Sequence, residues 1–378
     1  MTLLPNPDLT VGADQKPRWN SADARRHGFH TLHRIARYVQ SFRAADVLSL
    51  HRDTDVALAA RPDVAQLTGL PFFSAMVVLR GERVLFERYA PDFGPDQPHS
   101  IMSLSKTTMM LIIGRLVAEG KIDLAAPVDR YLPWVGTGYA KASVQDVLNM
   151  NVDNDYVEDY ADPLCTAFLH EAAMGLRLPC PGQAERTSKQ FLATVGLAPG
   201  KSDTLNRSGL CMYRSANTDI LAAIAEAVGG PLSARLADIA DAAGLEGSLH
   251  VATDRSGFPC LNGGLCLTAR DLARYGLLLA RGGIGVAGQE VGSPAFLQAT
   301  LAGGVPMPAP RGRLRYSNQT NTDGRWIGHG GYGGQYLVAD PVTGTAAVFL
   351  SVLDTADGYL SSYYPPIIAL LAEAATAA

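Results

Sequence analysis

The sequence predicts an α+β fold, an α/β/α sandwich in which an antiparallel β-sheet from both chain ends is flanked by helices and carries an inserted helical lobe. Two observations predict it. Strand-like segments occur near both ends of the chain, whereas helix-like segments dominate between them. The length of 378 residues fits a two-lobed chain. The expected division is an N-terminal arm and helices over 1–70, a sheet domain over 71–102 and 241–378, and a helical domain over 103–240.

Local patterns justify the elements of the first two thirds of the chain. The segment HTLHRIARYVQSFR predicts a helix between residues 21 and 70. The segment FFSAMVVLRGERVLFERYA predicts a hairpin that turns at Arg80-Gly81. An apolar run closed by Gly120 predicts a largely buried helix over 103–119. The segment NTDILAAIAEAVGGPLSARLADIADAAG predicts two amphipathic helices.

The last third of the chain has strand-like character. The segments GRWIGHG, GGQYLVADPVT and TAAVFLSVLD predict consecutive strands, with turns at glycines and at Asp340-Pro341. The segment IIALLAEAATAA predicts a closing helix. A crevice between the two lobes is where a small-molecule site is expected.

Composition argues against several classes of protein. A net charge of −4 without a basic patch disfavours nucleic-acid binding. No apolar stretch approaches the ~20 residues of a membrane helix, and the N-terminus lacks a secretory signal. A soluble cytoplasmic protein is therefore expected. The five cysteines form no Cys-x-x-Cys pair and His27, His30 and His33 have no further ligand beside them, so neither a metal nor an organic cofactor is expected.

Ser103 and Lys106 form a Ser-x-x-Lys motif at the start of the predicted buried helix. This spacing puts the two side chains one turn apart on one helix face. A serine hydroxyl attacks a carbonyl only when a base removes its proton, and a lysine in an apolar pocket has a lowered pKa that suits it to that task. A helix cap followed by a surface lysine is the simpler alternative. The long apolar helix behind the motif favours a nucleophile and its base.

Two further motifs follow Ser-x-x-Lys in the sequence. Tyr213-Arg214-Ser215, about 110 residues later, supplies a phenol that can move a proton and a short polar group. The glycine-rich segment 328–334 permits close approach of the backbone to a ligand, and a free N–H there could complete an oxyanion hole. A packed tyrosine and a glycine-rich hairpin turn are the respective alternatives.

In this order the three motifs resemble the signatures of the serine β-lactamase and penicillin-binding-protein superfamily, which are Ser-x-x-Lys, Tyr-x-Asn and Lys-Thr-Gly. Within that superfamily the chain resembles the class C branch, and there the 6-aminohexanoate-dimer hydrolases. The resemblance runs from about Phe72 to the C-terminus. The stretches that carry it are 102–106, 158–163, 215–219, 262–264 and 267–274.

The resemblance implies a role for individual residues. Ser103 would be the nucleophile that forms an acyl-enzyme, Lys106 its base, and Tyr213 the proton shuttle to the leaving group. The backbone N–H groups of Ser103 and Tyr332 would form the oxyanion hole. The implied substrate-binding residues are Tyr160, Glu171, Ser215, Asn262 and His329.

The implied substrate contacts differ from residue to residue. Tyr160 would close over the substrate and bond its amide nitrogen, Glu171 would meet a substrate ammonium, and Asn262 would influence amide hydrolysis. A loop aromatic, a solvated carboxylate and a turn-stabilising amide are the respective alternatives. His329 stands where the Lys-Thr-Gly lysine would hold a β-lactam carboxylate, and Ser215 replaces the asparagine of Tyr-x-Asn. Both departures disfavour a true β-lactamase.

The expected function is hydrolysis of amide or ester bonds through an acyl-enzyme on Ser103, by an amidase similar to the 6-aminohexanoate-dimer hydrolases with carboxylesterase activity. A carboxylesterase or an acyltransferase without amidase activity is the alternative. A non-enzymatic binding protein is disfavoured because Ser103, Lys106 and Tyr213 are all present. The expected partner is a small-molecule amide or ester, and the resemblance allows a homodimer.

Overall fold

A computed structural model describes residues 18–160, 162, 165–179, 182–355 and 358–377. Residues 1–17 of the expected N-terminal arm and Cys180 lie outside the described residues. The strands within these ranges are β1 (Val39–Arg43), β2 (His51–Arg52), β3 (Phe73–Arg80), β4 (Arg83–Tyr89), β5 (His99–Ser100), β6 (Ser248–Ala252), β7 (Leu265–Leu267), β8 (Val305–Pro306), β9 (Arg315–Ser317), β10 (Thr320–Thr322), β11 (Ile327–Gly331), β12 (Gln335–Asp340) and β13 (Thr345–Ser351).

Most of the described helices lie between β5 and β8. The 3₁₀ turns are Met102–Thr107 and Val128–Arg130. The α-helices are α1 (Arg25–Ile35), α2 (Val56–Ala59), α3 (Pro62–Thr68), α4 (Thr108–Ala118), α5 (Thr137–Ala140), α6 (Val144–Leu148), α7 (Thr166–Ala173), α8 (Ser188–Leu192), α9 (Ala216–Gly229), α10 (Leu232–Ala243), α11 (Ala269–Ala280), α12 (Pro294–Ala302) and α13 (Tyr364–Thr376).

The main sheet combines strands from both parts of the chain, as the sequence predicts. Its nine strands lie in the order β2-β4-β3-β13-β12-β11-β10-β9-β8. The hairpin of β3 and β4 turns at Gly81, whose φ is +56°, and β13 pairs antiparallel with β3 so that Val348 faces Val77. The sheet is not wholly antiparallel, because β2 runs parallel to β4.

Both faces of this sheet are buried, which explains the almost continuous apolar sequence of its central strands. One face packs with α11, which approaches so closely that a Cβ on Gly276 would lie 2.8 Å from the Cβ of Ala346. Alternate residues such as Met76 and Phe349 point to the other face and pack with α13. The result is the expected helix–sheet–helix sandwich.

A second sheet, absent from the sequence prediction, leads into the Ser-x-x-Lys motif. It is four-stranded, in the order β1-β6-β7-β5. Helix was expected throughout HTLHRIARYVQSFR, but α1 ends at Ile35 and β1 pairs with β6 over Val39–Arg43. The expectation was wrong for this half of the segment because a distant strand, rather than local periodicity, determines its conformation.

The helices between the two parts of the sheet include the predicted pair. These are α9 and α10, and α9 packs with α4 in the same apolar core. The helix expected over 103–119 begins instead as the 3₁₀ turn Met102–Thr107 and becomes α-helical at Thr108. Gly120 follows its end with a φ of +69°, as a C-terminal glycine should.

In the described part of the chain, no single helix is long and apolar enough to cross a membrane. The helices α9 and α10 meet the criteria only when taken together, and they are bent by 98° relative to each other.

Candidate active site

Ser103 lies in the 3₁₀ turn between β5 and α4. In a 3₁₀ helix the side chains of residues i and i+3 lie one above the other, so the Lys106 side chain lies over that of Ser103. Met102 enters the turn with a φ of +48°, a strained backbone conformation for a residue with a side chain. The Ser105 hydroxyl donates to the Met102 carbonyl at 2.6 Å and accepts from the Leu265 N–H at 3.2 Å, which fastens the turn to β7.

The Lys106 ammonium is fully buried and surrounded by oxygen acceptors. Its Nζ lies 3.1 Å from Ser103 Oγ, 3.0 Å from Ser215 Oγ and 2.6 Å from the Asn262 carbonyl. Burial lowers the pKa of Lys106 to about 8, and the negative charges of Glu158 and Asp219 act against that fall. A substantial neutral fraction near pH 8 can therefore accept the Ser103 proton.

Tyr213 is a close neighbour of the Ser103 side chain, and both residues line the same cavity. Its ring centroid is 5.0 Å from Lys106 Nζ, within the range of a cation–π contact. Burial raises the pKa of the Tyr213 phenol well above its usual value. The phenol therefore stays protonated at neutral pH and is available as a donor.

Glu158 links Ser215 to Tyr160, and sequence reasoning had assigned it no role. One carboxylate oxygen accepts from the Ser215 hydroxyl at 2.9 Å and from the Tyr160 phenol at 3.0 Å, while the other accepts from the Ser215 N–H at 2.7 Å. Arg214, between Tyr213 and Ser215, donates to backbone carbonyls of the loop that carries Glu158. The Tyr213-Arg214-Ser215 segment therefore holds the Glu158 carboxylate near Lys106.

A buried ionisable pair lies behind Asn262. The Asn262 amide donates to Asp219 at 2.8 Å, and His170 Nε2 lies 2.9 Å from the same carboxylate oxygen. His170 stacks on Phe191, and neither side chain of the pair is exposed to solvent. Because Asn262 also supplies a carbonyl to Lys106, Asp219 is in a position to orient that contact.

Ser103 and Tyr213 face one cavity of about 380 Å³, whereas Lys106, Ser215 and Asn262 lie outside its lining. Strand β11 passes so close to the 3₁₀ turn that a Cβ on Gly331 would lie 2.6 Å from the Ile101 carbonyl oxygen. This close approach requires glycine and brings Tyr332 to the same cavity as Ser103. The ring of Tyr160 lies 5.4 Å from that of Tyr332, at the rim.

His329 also lines the cavity, but both of its ring nitrogens are already engaged. Nδ1 faces the Gly330 carbonyl, which only accepts, so this nitrogen carries the proton and Nε2 accepts from the Tyr316 hydroxyl at 3.1 Å. Burial lowers the pKa of His329 to about 3. The imidazole is neutral and offers no positive charge to a substrate carboxylate.

Glu171, the candidate for a substrate ammonium, lies away from the cavity lining. Its carboxylate accepts from Arg177 Nε at 2.9 Å, and the Arg177 guanidinium covers the Phe168 ring. Burial raises the pKa of Glu171. The Glu171 side chain is therefore neither solvated nor part of the cavity lining, and its carboxylate is already paired with Arg177.

Within the described ranges, no group of three or more histidine, cysteine or carboxylate side chains is arranged to hold a metal ion. His30 packs beside His99, whereas His33 stacks on His250, so the histidines of α1 separate. Cys165, Cys211, Cys260 and Cys266 are buried free thiols.

Comparison with known proteins gives consistent matches. The beta-lactamase family matches residues 63–360. A 6-aminohexanoate-dimer hydrolase from Paenarthrobacter ureafaciens is 39% identical over 255 residues, or 66% of this chain. The matched part spans only 62% of the length of that relative.

Solved structures share the fold. A Bacillus anthracis protein, provisionally named a 6-aminohexanoate-dimer hydrolase, has a TM-score of 0.78 at 20% identity over 98% of this chain and 97% of its own. EstCE1, described as a hydrolase with promiscuous acyltransferase activity, has a TM-score of 0.56 at 16% identity over 81% of this chain and 94% of its own.

Proposed function

This chain belongs to the beta-lactamase family, and from that membership we propose that it is a serine hydrolase that cleaves amide or ester bonds through an acyl-enzyme on Ser103. The observation that carries the proposal is the contact between Ser103 Oγ and Lys106 Nζ at 3.1 Å. Burial lowers the pKa of that lysine to about 8. A nucleophile and a phenol donor thus face one cavity, and the base contacts the nucleophile from behind the lining.

The first half-reaction forms the acyl-enzyme. Neutral Lys106 accepts the Ser103 proton as Oγ attacks the carbonyl carbon, and the carbonyl oxygen becomes an oxyanion. The backbone N–H groups of Ser103 and Tyr332 stabilise this charge. As the bond to the leaving nitrogen or oxygen breaks, Tyr213 donates a proton to the leaving group and recovers one from Lys106. The leaving amine or alcohol departs neutral.

The second half-reaction releases the acid. A water molecule gives a proton to the same base and attacks the acyl carbon, and the bond to Ser103 Oγ breaks. The serine recovers its proton, so base and nucleophile return to their starting states. An alcohol or amine that replaced the water would give acyl transfer instead.

The proposed substrate class is small linear amides similar to the 6-aminohexanoate dimer, with esters as easier substrates. Support comes from the name of the Paenarthrobacter relative and from a cavity of a size that suits a small ligand. The Tyr160 phenol at the cavity rim suits a hydrogen bond to a substrate amide nitrogen. A carboxylesterase or acyltransferase is the second candidate, favoured by the fold shared with EstCE1.

The experiment measures hydrolysis of p-nitrophenyl butyrate, the linear 6-aminohexanoate dimer and a chromogenic cephalosporin. Ser103→Ala should abolish turnover and fluorophosphonate labelling. Ser208→Ala, at an exposed position outside the cavity lining, should retain labelling. Cleavage of the dimer supports the amidase, and cleavage of the ester alone supports the second candidate. Substantial turnover by Ser103→Ala would contradict the assignment, and transesterification in added alcohol would reveal an acyltransferase.

A further inference from the structure

Helix α1 precedes the residues that the beta-lactamase family matches, yet it packs against the turn that carries Tyr332. This turn, residues 332–334, joins β11 to β12. A Cβ on Gly333 would lie 2.6 Å from Phe29 Cε2, and the ring centroids of Phe29 and Tyr332 are 6.2 Å apart. Gly333 also has a φ of +86°, so both its conformation and its surroundings require glycine. Helix α1 therefore supports the turn 332–334.

Arg25, the first residue of α1, is only 1% exposed. Its Nη1 donates to the Leu353 carbonyl at 2.7 Å and to the Thr355 carbonyl at 2.6 Å, and its Nε donates to Asn20 Oδ1 at 2.9 Å. Burial of a guanidinium is costly unless hydrogen bonds replace its water, and these bonds also fix the planar group in one orientation. Arg25 therefore ties α1 to the segment that follows β13.

Leu353 connects Arg25 to the turn 332–334. Its N–H donates to the Gly333 carbonyl at 2.9 Å, while its own carbonyl accepts from Arg25. Arg25 also contacts the turn directly, because its Cζ lies 5.3 Å from the centroid of the Tyr332 ring, within the range of a cation–π contact. Two separate contacts thus run from the Arg25 guanidinium to Tyr332 and Gly333.

The residue before Tyr332 is fixed as well. The Tyr364 phenol donates to the Gly331 carbonyl at 2.8 Å, and the Gly334 N–H donates to the same carbonyl at 3.1 Å. Because the carbonyls of Gly331 and Gly333 are both held, the direction of the Tyr332 N–H between them is defined. A donor of an oxyanion hole acts through such preorganisation, since it need not reorient as charge develops.

We propose that Arg25 is a positioning residue for the oxyanion hole, which acts through Leu353 and the Tyr332 ring on the direction of the Tyr332 N–H. Arg25 lies outside the cavity lining, so its effect on the reaction is indirect. This inference rests on the proposed hydrolase function, and it gives a helix that precedes the matched family region a role in catalysis.

The test compares p-nitrophenyl butyrate with its thionoester, in which sulfur replaces the carbonyl oxygen. Sulfur is a weak hydrogen-bond acceptor, so a well-aligned oxyanion hole favours the oxygen ester. Arg25→Met keeps an unbranched side chain but removes the donors. It should lower kcat/KM for the oxygen ester roughly tenfold or more, as misalignment of a catalytic group implies, and that for the thionoester much less. The ratio of the two kcat/KM values should therefore fall.

A merely structural role of Arg25 predicts a different result. Loss of folded enzyme lowers both kcat/KM values by the same factor, and an unchanged ratio in Arg25→Met would overturn the proposal. Arg25→Lys keeps the charge but loses the planar fork, so it should lower the ratio less and can replace Arg25→Met if that variant folds poorly.

The matched control is Arg26→Met. Arg26 is the next residue of α1, and its guanidinium bonds Asp92 and the Phe73 carbonyl. The ratio in this variant should equal that of the parent protein. A fall as large as in Arg25→Met would also overturn the proposal.

Fluorophosphonate labelling separates failure of this inference from failure of the hydrolase assignment. If the parent protein is labelled at Ser103 and cleaves the oxygen ester, but Arg25→Met leaves the ratio unchanged, only the positioning role is wrong. If the parent protein is neither labelled nor active on any substrate, the hydrolase assignment is wrong and the positioning role fails with it.

Discussion

Replacing Glu158 with glutamine should shift the pH dependence of catalysis toward acid. The carboxylate faces Lys106 through Ser215, with hydrogen bonds of 3.0 Å and 2.9 Å in series. Its negative charge favours the ammonium form of Lys106 and so opposes the effect of burial on that pKa. Without this charge, burial lowers the pKa of Lys106 further. A larger fraction of Lys106 is then neutral at a given lower pH and can act as the base.

The size of the shift follows from the separation of the charges. Two hydrogen bonds in series keep Lys106 Nζ within about 6 Å of the carboxylate. At that distance, effective dielectric constants from about 80 down to about 20 give an interaction of roughly 0.7–2.8 kcal/mol. This corresponds to a fall of roughly 0.5–2 units from a Lys106 pKa of about 8.

The assay is the pH profile of kcat/KM on p-nitrophenyl butyrate, whose acid limb reports the base of the free enzyme. Tyr160→Phe is the matched control, because it removes one hydrogen bond to Glu158 but keeps the charge, and its acid limb should stay in place. An acid limb that is unchanged in Glu158→Gln, or that moves to higher pH, would refute the electrostatic coupling of Glu158 to Lys106.

Two further substitutions test other parts of the site. Asp219→Asn removes the charge beside His170 and should destabilise the protein by about 1–3 kcal/mol, which would appear as a lower midpoint of urea unfolding. Asp238→Asn, at an exposed position, is the control and should leave the midpoint unchanged. Equal midpoints for the two variants would contradict a stabilising role of the buried pair. Tyr213→Phe should reduce kcat/KM for an amide by roughly 100-fold or more, since an amine must leave protonated. It should reduce that for a p-nitrophenyl ester much less, and equal losses would argue against Tyr213 as the donor.

The parts of the fold that could be predicted are those defined by local pattern. The hairpin of β3 and β4 and the strands β11 to β13 are apolar runs bounded by glycine or proline turns, and they were found. Strand β1 was not found, because its segment continues the periodicity of α1 and its partner β6 lies some two hundred residues away in sequence. Pairing over such a distance leaves no local signal.

The same distinction holds for the site. The spacing of Ser103 and Lys106 predicted that the two side chains lie together, and the structure places them in contact with each other and near Tyr213. Glu158 and Asp219 were assigned no role, since single carboxylates are common and only tertiary contacts make these two significant. Glu171 was predicted to bind a substrate ammonium, but the sequence does not reveal that its carboxylate forms an ion pair with Arg177. This pairing depends on a bend of the chain after α7.

The pairing of β3 with β13 also constrains biosynthesis. Every residue of β3 from Phe73 to Leu79 is buried, yet the strand that covers its inner edge is translated near the end of the chain. Until then, a nascent chain presents a complete hairpin with one apolar edge unpaired, which is a template for association with other chains. Chains interrupted before β13 should therefore accumulate as aggregates or in complexes with chaperones. Efficient production then depends on how quickly the ribosome completes the last strands.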